Sequence, residues 1–446
     1  MNQELVITGM GVVTPIGGTV ESFWEANLVG KSGLGREEQM DLSDLPCGWI
    51  IGTIPTELKQ AAANRWSRPG NSMGEALMRE AAEQALEDAH YEKPLRSRAG
   101  LVWLKSCPSS GSSPEEYEAH MRIQAERYQA AGEDPIALVD YIRSQTAAPS
   151  LGDLSSFPTL MSRRMDVPLL AMRLEATCSG GVRAIVEAAR LLHLGELDLV
   201  VVAAGVIRRN HYVLSQYAQL MALSRWDGPA AQASMPFDKR RSGMVLSEAA
   251  GALVIETAAH AAARGVRQVH AKLGGWGLSV STAHVTAPKV EMVEHVIRSA
   301  LANSGLKPEA VDAINAHGTS TKLNDVTEAR ALHNVFGARM AELDVMAVKS
   351  LTGHGSGASG IIETIVSALA LCRGIIPPIV TCTEPDPECN VKTNLTPVSR
   401  PVATIVKNSF GFGGQYASLI LKRPENPRPV PAHLAPADVT ATSSPS

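Results

Sequence analysis

Several common signatures are missing from this chain of 446 residues. Its six cysteines are scattered, and none forms a CxxC pair: Cys47, Cys107, Cys178, Cys372, Cys382 and Cys389. This spacing argues against a disulfide framework and against a zinc ribbon. No run of about 18 apolar residues is available to span a bilayer, and no basic segment followed by an apolar one marks a signal peptide. We therefore expect a cytoplasmic protein that does not bind a membrane.

Charge of one sign is not in excess either. The formal net charge is −4 and the pI about 6.3, so nothing global indicates a nucleic-acid partner. A GxSxG elbow, an HExxH pair and a P-loop are absent, which leaves serine hydrolases, zincins and nucleotide hydrolases without support. Hydrophobic residues make up 45% of the chain, enough for a large core in two or more domain-sized units.

Apolar strands alternate with helical stretches along most of the chain. This order predicts an α/β protein with mostly parallel sheets. The predicted strands include 5–8, 100–104, 197–205, 251–256, 311–318 and 346–350, and the predicted helices 74–90, 290–304 and 361–372. A glycine-rich turn is expected after the first strand (Gly9, Gly11, Gly17, Gly18), and a helical excursion at about 110–150.

Cys178 is a candidate nucleophile. It lies in EATCSGGVRA, just before a stretch whose apolar residues Val182, Ile185, Val186 and Ala189 recur at helical spacing and which ends at Gly195. A thiolate at a helix N-terminus is stabilised by the helix dipole. A buried structural cysteine is the alternative.

Two histidines are candidate partners for this thiol. His317 ends an apolar strand in NAHGTSTKLND, where α/β proteins often place functional groups, although it could simply cap the turn. His354 lies in VKSLTGHGSGASG, five residues after Lys349. A further glycine segment, FGFGG at 410–414, could direct backbone N–H groups at an oxyanion or could be a simple tight turn.

A competing hypothesis is a dinucleotide site. Gly355, Gly357 and Gly360 fit GxGxxG between a strand and a helix, with Glu384 as a possible ribose partner. We rank this hypothesis lower, because the start of the chain lacks the motif and a cofactor loop has no need of His354.

Taken together, these segments resemble the β-ketoacyl-acyl carrier protein synthases, specifically the type II elongating branch. The resemblance extends to about Arg423 and rests on motifs in the family's order: ITGMGVVTPIG, FWEANLVGKSGL, EATCSGG, MPFDKRRSGMVLSEAAGALVIE, NAHGTSTKLNDVTEARAL, VKSLTGHGSGASGIIE, EPDPECN and NSFGFGGQYASL. It implies an α/β thiolase fold of two similar halves, 1–258 and 259–424, stacked as five α-β-α-β-α layers. Residues 425–446 are expected to form a mobile tail, and the chain to form a homodimer or a heterodimer with a related subunit.

The resemblance also implies a ping-pong decarboxylative Claisen condensation. Cys178 takes an acyl group from the phosphopantetheine arm of an acyl carrier protein. His317 and His354 then assist decarboxylation of a malonyl group on a second carrier. The N–H groups of Cys178 and Phe412 form the oxyanion hole. No metal or redox cofactor is needed.

Other residues receive supporting roles from the same resemblance. Lys349 is expected to orient a network around His354 and Glu328. Phe412, between Gly411 and Gly413, matches the gate of the acyl pocket. Residues expected to be structural near the site are Asp325, Thr319, Thr321 and Asn408. Basic clusters could receive the acidic carrier, or could be solvated surface: Arg163 and Arg164, Arg208 and Arg209, and Lys239, Arg240 and Arg241.

The sequence departs from the family pattern around the expected acyl pocket. Thr177 and Gly180 stand where the family usually has Ala and Ser or Thr, and Gln415-Tyr416 replaces Thr-Asn. The segments 110–150, 205–209 and 247–251 also differ. We therefore expect a changed substrate, in a specialised polyketide or unusual fatty-acyl pathway. The alternatives are a non-elongating acyltransferase or malonyl-carrier decarboxylase, and a chain-length-factor-like subunit, a class that loses the cysteine.

Overall fold

The structure is a computed structural model that describes residues 3–43, 45–66, 72–91, 98–104, 161, 170–174, 176–207, 211–267, 269–282, 284 and 286–427. The predicted excursion at 110–150 and nearly all of the predicted tail lie outside the described residues. None of the helices within those ranges is long and apolar enough to cross a bilayer.

Within the described residues, ten strands form one large sheet, and four short strands form two small pairs. The strands are β1 (Leu5–Val13), β2 (Leu34–Arg36), β3 (Ile50–Gly52), β4 (Ala99–Leu104), β5 (Leu170–Leu174), β6 (Leu199–Val206), β7 (Ala249–Thr257), β8 (Ala271–Val280), β9 (Ala313–Asn315), β10 (Asp344–Met346), β11 (Ile375–Ile376), β12 (Val398–Ser399), β13 (Thr404–Gly411) and β14 (Gln415–Lys422). The described α-helices are α1 (Val20–Leu28), α2 (Thr56–Trp66), α3 (Met73–Asp88), α4 (Gly180–His193), α5 (His211–Gln219), α6 (Ala258–Ala263), α7 (Val290–Asn303), α8 (Lys322–Phe336), α9 (Lys349–Thr352) and α10 (Ser356–Arg373).

The large sheet contains the same five-strand arrangement twice. Its order is β10-β9-β13-β14-β8-β1-β7-β6-β4-β5. When the five strands of each half are numbered along the chain, both halves have the order third, second, fourth, fifth, first from the edge of the sheet to its centre. The first strands of the two halves, β1 and β8, pair at the centre, where Leu5 lies opposite Leu273. The predicted boundary at residue 258 stays a prediction; it falls just after β7, which completes the first set.

Helices separate and cover these two sets of strands. α3 packs on β1, β6 and β7, whereas α7 and α8 cover the second set. α4 and α10 pack against each other between the two sets. This gives the five α-β-α-β-α layers of the thiolase fold, as predicted.

The expectation of mostly parallel sheets is wrong. β4 runs parallel to β5 and β6, and β9 to β10 and β13, but the remaining neighbours in the large sheet are antiparallel. One reason is that β13 and β14 are joined by the short turn 412–414, and strands joined by so short a turn must run antiparallel.

The expected glycine turn after the first strand is also wrong at two positions. β1 continues through Gly9 and Gly11 as far as Val13. A Cβ on Gly9 would lie 2.0 Å from the carbonyl oxygen of Ala85, and one on Gly11 would lie 1.9 Å from that of Ala81. These glycines therefore allow α3 to lie directly on the strand.

Glycines also allow the two central helices to approach closely. A Cβ on Gly181 would lie 2.4 Å from the oxygen of Gly357, and one on Gly360 would lie 2.8 Å from the nitrogen of Val182. The GxGxxG spacing thus serves helix packing. Glu384, the ribose partner of the competing hypothesis, instead forms an ion pair with Lys239.

Candidate functional site

The three residues predicted to carry the chemistry line one pocket. Cys178 is buried, with 4% of its surface exposed, and lies two residues before α4. His354 lies two residues before α10, which is the equivalent helix of the second half. His317 follows β9. The site therefore lies where the two halves meet, at the N-termini of the two central helices.

The segment around Cys178 is tied to the FGFGG loop. Ser409 Oγ donates to the carbonyl oxygen of Cys178 at 3.2 Å, and Thr177 Oγ1 donates to that of Phe412 at 2.9 Å. A Cβ on Gly411 would lie only 3.2 Å from the nitrogen of Cys178. Only glycine at this position lets the loop approach the amide of Cys178 so closely.

The two histidine rings are neighbours in the pocket. Their centroids lie 5.5 Å apart with planes at 82°, and Phe410 contacts the ring of His317 at 5.3 Å. His354 Nδ1 lies 3.2 Å from Ser359 Oγ on α10. The contact with Ser359 sets the orientation of the His354 ring.

Lys349 contacts His317, whereas the sequence predicted that it orients a network around His354 and Glu328. Lys349 Nζ donates to the carbonyl oxygen of His317 at 2.6 Å and lies 3.4 Å from its Nδ1. The predicted strand 346–350 is also wrong, because β10 ends at Met346 and Lys349 begins the helical turn α9. This turn is what directs the ammonium towards His317.

The contact with Lys349 determines the form of the His317 imidazole. An ammonium group can only donate hydrogen bonds, so Nδ1 of His317 accepts and its proton resides on Nε2. Burial, followed by the charges of Lys349, His354 and Lys407, holds the pKa of His317 well below its usual range. His317 is therefore a neutral hydrogen-bond donor.

Two charged residues of this network were not predicted. Glu363 on α10 pairs with Lys349 through Oε1, and its Oε2 lies 2.6 Å from Nζ of Lys407 on β13. All three side chains are buried. A signal was present in the sequence, because Glu363 and Lys407 are charged residues inside apolar runs, and buried charges require partners.

Glu328 positions the backbone around His317. Its carboxylate accepts from the N–H groups of His317 at 2.8 Å and Gly318 at 2.9 Å, and from Asn408 Nδ2 at 3.1 Å. Burial raises the pKa of Glu328, while these hydrogen bonds oppose the rise. Its contacts are thus with the backbone of the His317 segment and not with Lys349.

Asp325 and its neighbours shape the same segment. Asp325 accepts from the N–H groups of Thr319 at 3.1 Å and Phe237 at 3.0 Å. Thr319 Oγ1 lies 3.0 Å from Thr321 Oγ1, and both threonines also line the pocket. Burial raises the pKa of Asp325, and the nearby Arg241 opposes this.

The predicted docking cluster 239–241 is not a free basic surface. Arg241 is only 2% exposed and lies 2.6 Å from Asp386, so its placement on the docking surface was wrong. Arg240 pairs with Asp238, and Lys239 pairs with Glu384. The acidic residues of EPDPECN neutralise this cluster. Arg163, Arg164, Arg208 and Arg209 lie outside the described residues.

The fold and site define a class of protein: an enzyme of duplicated α/β fold with a cysteine and two histidines in one pocket. Comparison with known sequences makes the family explicit. The profile of the β-ketoacyl synthase N-terminal domain matches residues 2–261, and that of the C-terminal domain matches residues 270–383. The 3-oxoacyl-[acyl-carrier-protein] synthase 2 of Coxiella burnetii is 30% identical, covering 94% of this chain and 99% of that protein.

Solved structures agree with the sequence relatives. The type II polyketide ketosynthase AntDE, solved with the acyl-carrier protein AntF, superimposes with a TM-score of 0.79 at 25% identity, covering 95% of this chain and all of that one. The ishigamide ketosynthase/chain length factor gives 0.79 at 28% identity with the same coverage. The chain belongs to the β-ketoacyl synthase family, and it is a ketosynthase, an acyl-transferring condensing enzyme.

Proposed function

We propose that Cys178, His317 and His354 carry a decarboxylative Claisen condensation. In the loading step, the sulfur of Cys178 attacks an acyl thioester, the pantetheine thiol leaves with the cysteine proton, and an acyl-cysteine remains. The observation that carries the proposal is the shared pocket, in which Lys349 Nζ lies 3.4 Å from Nδ1 of His317 and therefore favours a proton on Nε2.

In the condensing step, malonyl thioester replaces the first carrier. The histidines donate hydrogen bonds to the thioester carbonyl oxygen, so negative charge can develop there as the carboxylate leaves as carbon dioxide. The enolate carbon attacks the acyl carbon of the acyl-cysteine, and the sulfur of Cys178 leaves. The N–H groups of Cys178 and Phe412 hold the intermediate oxyanion. Side chains and amides perform each step, so the mechanism requires no metal or redox cofactor.

Intact-protein mass spectrometry tests this mechanism directly. Mixing with acyl carriers should add one acyl group, and malonyl carrier should then remove it as an extended product. Cys178→Ala should abolish loading. Cys389→Ala is the matched control, because burial raises the pKa of that thiol to about 12 and makes it a poor nucleophile. Loading that persists in Cys178→Ala would contradict the assignment.

Variants of the two histidines and the products that the enzyme releases distinguish condensation from the alternative activities. His317→Ala and His354→Ala should still load an acyl group but should lose most malonyl decarboxylation. A non-elongating acyltransferase would load and never extend, and a malonyl-carrier decarboxylase would release acetyl carrier without condensing. The presence of Cys178 disfavours a chain-length-factor role.

We further propose an acyl carrier protein as the partner, docking outside the gate residue Phe412. A second cavity shares Phe412 with the catalytic pocket and is lined by the exposed cations Arg225 and Lys322. Exposed apolar side chains lie beside them, with Met221 74% and Leu323 53% exposed. This mixture suits an acidic helical carrier.

Charge reversal distinguishes this docking surface from the earlier candidate. Lys322→Glu should raise KM for carrier-bound substrate and leave KM for a small acyl-pantetheine thioester unchanged. Lys239→Glu is the control, since Lys239 already pairs with Glu384 and should have little effect. Equal effects of the two substitutions would refute the placement.

We propose a homodimer in the cytoplasm, where thiols stay reduced. Among the described strands, β5 is the last of the large sheet, and its Leu170, Met172 and Leu174 are only half-buried. An apolar edge strand of this kind needs cover. Met172→Arg should convert a dimer to a monomer in light scattering, whereas a requirement for a second gene product would favour a heterodimer.

The substrate is proposed to be a specialised acyl group of a polyketide or unusual fatty-acyl pathway. Thr177 and Gln415, which depart from the family pattern, both contact the active-site segments: Thr177 bonds Phe412, and Gln415 lies 3.4 Å from Ser179 Oγ. A panel of acyl carriers compared by loading rate tests this. Equal use of ordinary long-chain acyl carriers would count against it.

A further inference from the structure

Glu363 lies between two buried lysines. Lys349 approaches it from α9 and contacts Oε1, and Lys407 approaches from β13 and lies 2.6 Å from Oε2. Lys407 is wholly buried and also donates to the carbonyl oxygen of Asn408. One carboxylate therefore serves two ammonium groups.

With all three groups ionised, this trio has a net charge of +1, because a single carboxylate can offset only one ammonium. A simple pair of Lys349 and Glu363 would be neutral. The excess charge matters because Lys349 is in contact with Nδ1 of His317, and buried charges are screened much less than exposed ones.

We propose that Lys407 is a positioning residue: by sharing Glu363 with Lys349, it leaves a net positive charge that keeps His317 neutral with its proton on Nε2. This form is the one the proposed decarboxylation needs, so the catalytic meaning rests on the proposed function. The ionisation of His317 itself can be measured whether or not the enzyme condenses.

Lys407 is one of three charged or ionisable side chains that, together with burial, lower the pKa of His317. The titratable groups that face it from the surrounding elements are Cys178, Glu328, Lys349, His354, Glu363 and Lys407. Glu328 can supply no positive charge, whereas Lys349 and His354, ahead of Lys407, also lower the pKa of His317. Burial lowers the pKa of Lys407, and Glu363 opposes this by stabilising the ammonium form.

The expected size of the effect follows from distance. The chain of contacts through Glu363 and Lys349 places the ammonium of Lys407 within roughly 10 Å of Nδ1 of His317. At an effective dielectric constant of about 20, removing one charge at that distance should raise the pKa of His317 by about one unit.

Two substitutions test the charge balance. Lys407→Met removes the charge and keeps an unbranched side chain that is one heavy atom shorter, so the net charge falls to zero and His317 should titrate about one unit higher. The double variant Lys407→Met/Glu363→Gln restores +1 through Lys349 alone, and the titration should return towards that of the native protein. A purely structural role for Lys407 predicts no such return.

Solid-state NMR of the full-length protein labelled with ¹⁵N-histidine measures the titration of His317 directly. The His317 signal is assigned by comparison with the spectrum of His317→Ala. Circular dichroism checks folding. If Lys407→Met does not fold, Lys407→Gln, which keeps a donor towards Glu363, takes its place. An unchanged His317 titration in the single variant, or a double variant that titrates like the single one, would overturn the proposal.

A second readout links the charge to activity. The acid limb of malonyl-carrier decarboxylation should move to higher pH in Lys407→Met and back in the double variant. If NMR shows the shift and the decarboxylation profile does not, the electrostatic inference stands and the proposed role of His317 fails.

Discussion

Substituting Gly411 by alanine should slow the loading of Cys178 severely. The new Cβ would lie 2.2 Å from Thr177 Oγ1 and 3.2 Å from the nitrogens of Cys178 and Ser179. The first contact is impossible, so either the loop must withdraw or Thr177 must turn away and release the carbonyl of Phe412. Both outcomes move the amides proposed as the oxyanion hole.

The size of this effect can be worked from the contacts. Restoring an ordinary separation from Thr177 Oγ1 requires a shift of about 1 Å, and a misplacement of that size can cost about 100-fold in rate. Loss of one oxyanion donor costs a similar factor, about 100- to 1000-fold. We therefore expect loading to slow by about 100-fold in Gly411→Ala.

A compensating substitution makes the test specific. In Gly411→Ala/Thr177→Ala the obstructing oxygen is gone, and the remaining 3.2 Å contacts need only a small adjustment. This double variant should load an acyl group at least about tenfold faster than Gly411→Ala does. Single-turnover loading followed by intact-protein mass spectrometry measures each rate, with Thr177→Ala as the reference. Native-like loading in Gly411→Ala, or a double variant as slow as the single one, refutes the reasoning.

Three further outcomes are expected. Glu328→Gln should destabilise the fold by about 2–4 kcal/mol in urea unfolding, because one oxygen that accepts a buried N–H becomes a donor. Arg241→Ala should cost about 3–5 kcal/mol by stranding the buried Asp325, whereas Lys239→Ala should stay within about 0.5 kcal/mol. Because the pKa of His317 lies well below 6.5, decarboxylation should keep its plateau rate as pH falls through 6.5. The free energy of unfolding should fall as pH falls through 6.5, because His317 gains a proton in the unfolded chain but not in the folded protein. Thermal denaturation measured as a function of pH checks this expectation.

The sequence was sufficient to select three candidate residues that the structure brings together in one pocket. Cys178, His317 and His354 each lie beside a glycine-rich turn at the end of a strand or the start of a helix, and these positions meet in one pocket. The local sequence determines where a strand ends and where a helix begins, so the motifs were enough to predict the positions of these residues. The strands and helices around them were also largely predicted.

Contacts between distant segments could not be predicted in the same way. Lys349 was predicted to orient a network around His354 and Glu328, whose motifs lie close to its own along the chain. Its acidic partner is instead Glu363 on α10. Gly9 and Gly11 look like a turn in sequence, and only the presence of α3 shows that they serve close packing. Pairing and packing depend on what lies opposite in space.

The duplicated architecture gives a physical reason for the position of the chemistry. Cys178 and His354 both lie two residues before the equivalent helices α4 and α10. The positive ends of two helix dipoles therefore meet at one pocket, where they favour a thiolate at one step and a developing oxyanion at the next. Because the proposed reaction creates negative charge on the sulfur and then on the carbonyl oxygens, a site between two helix N-termini would serve both steps without rearrangement.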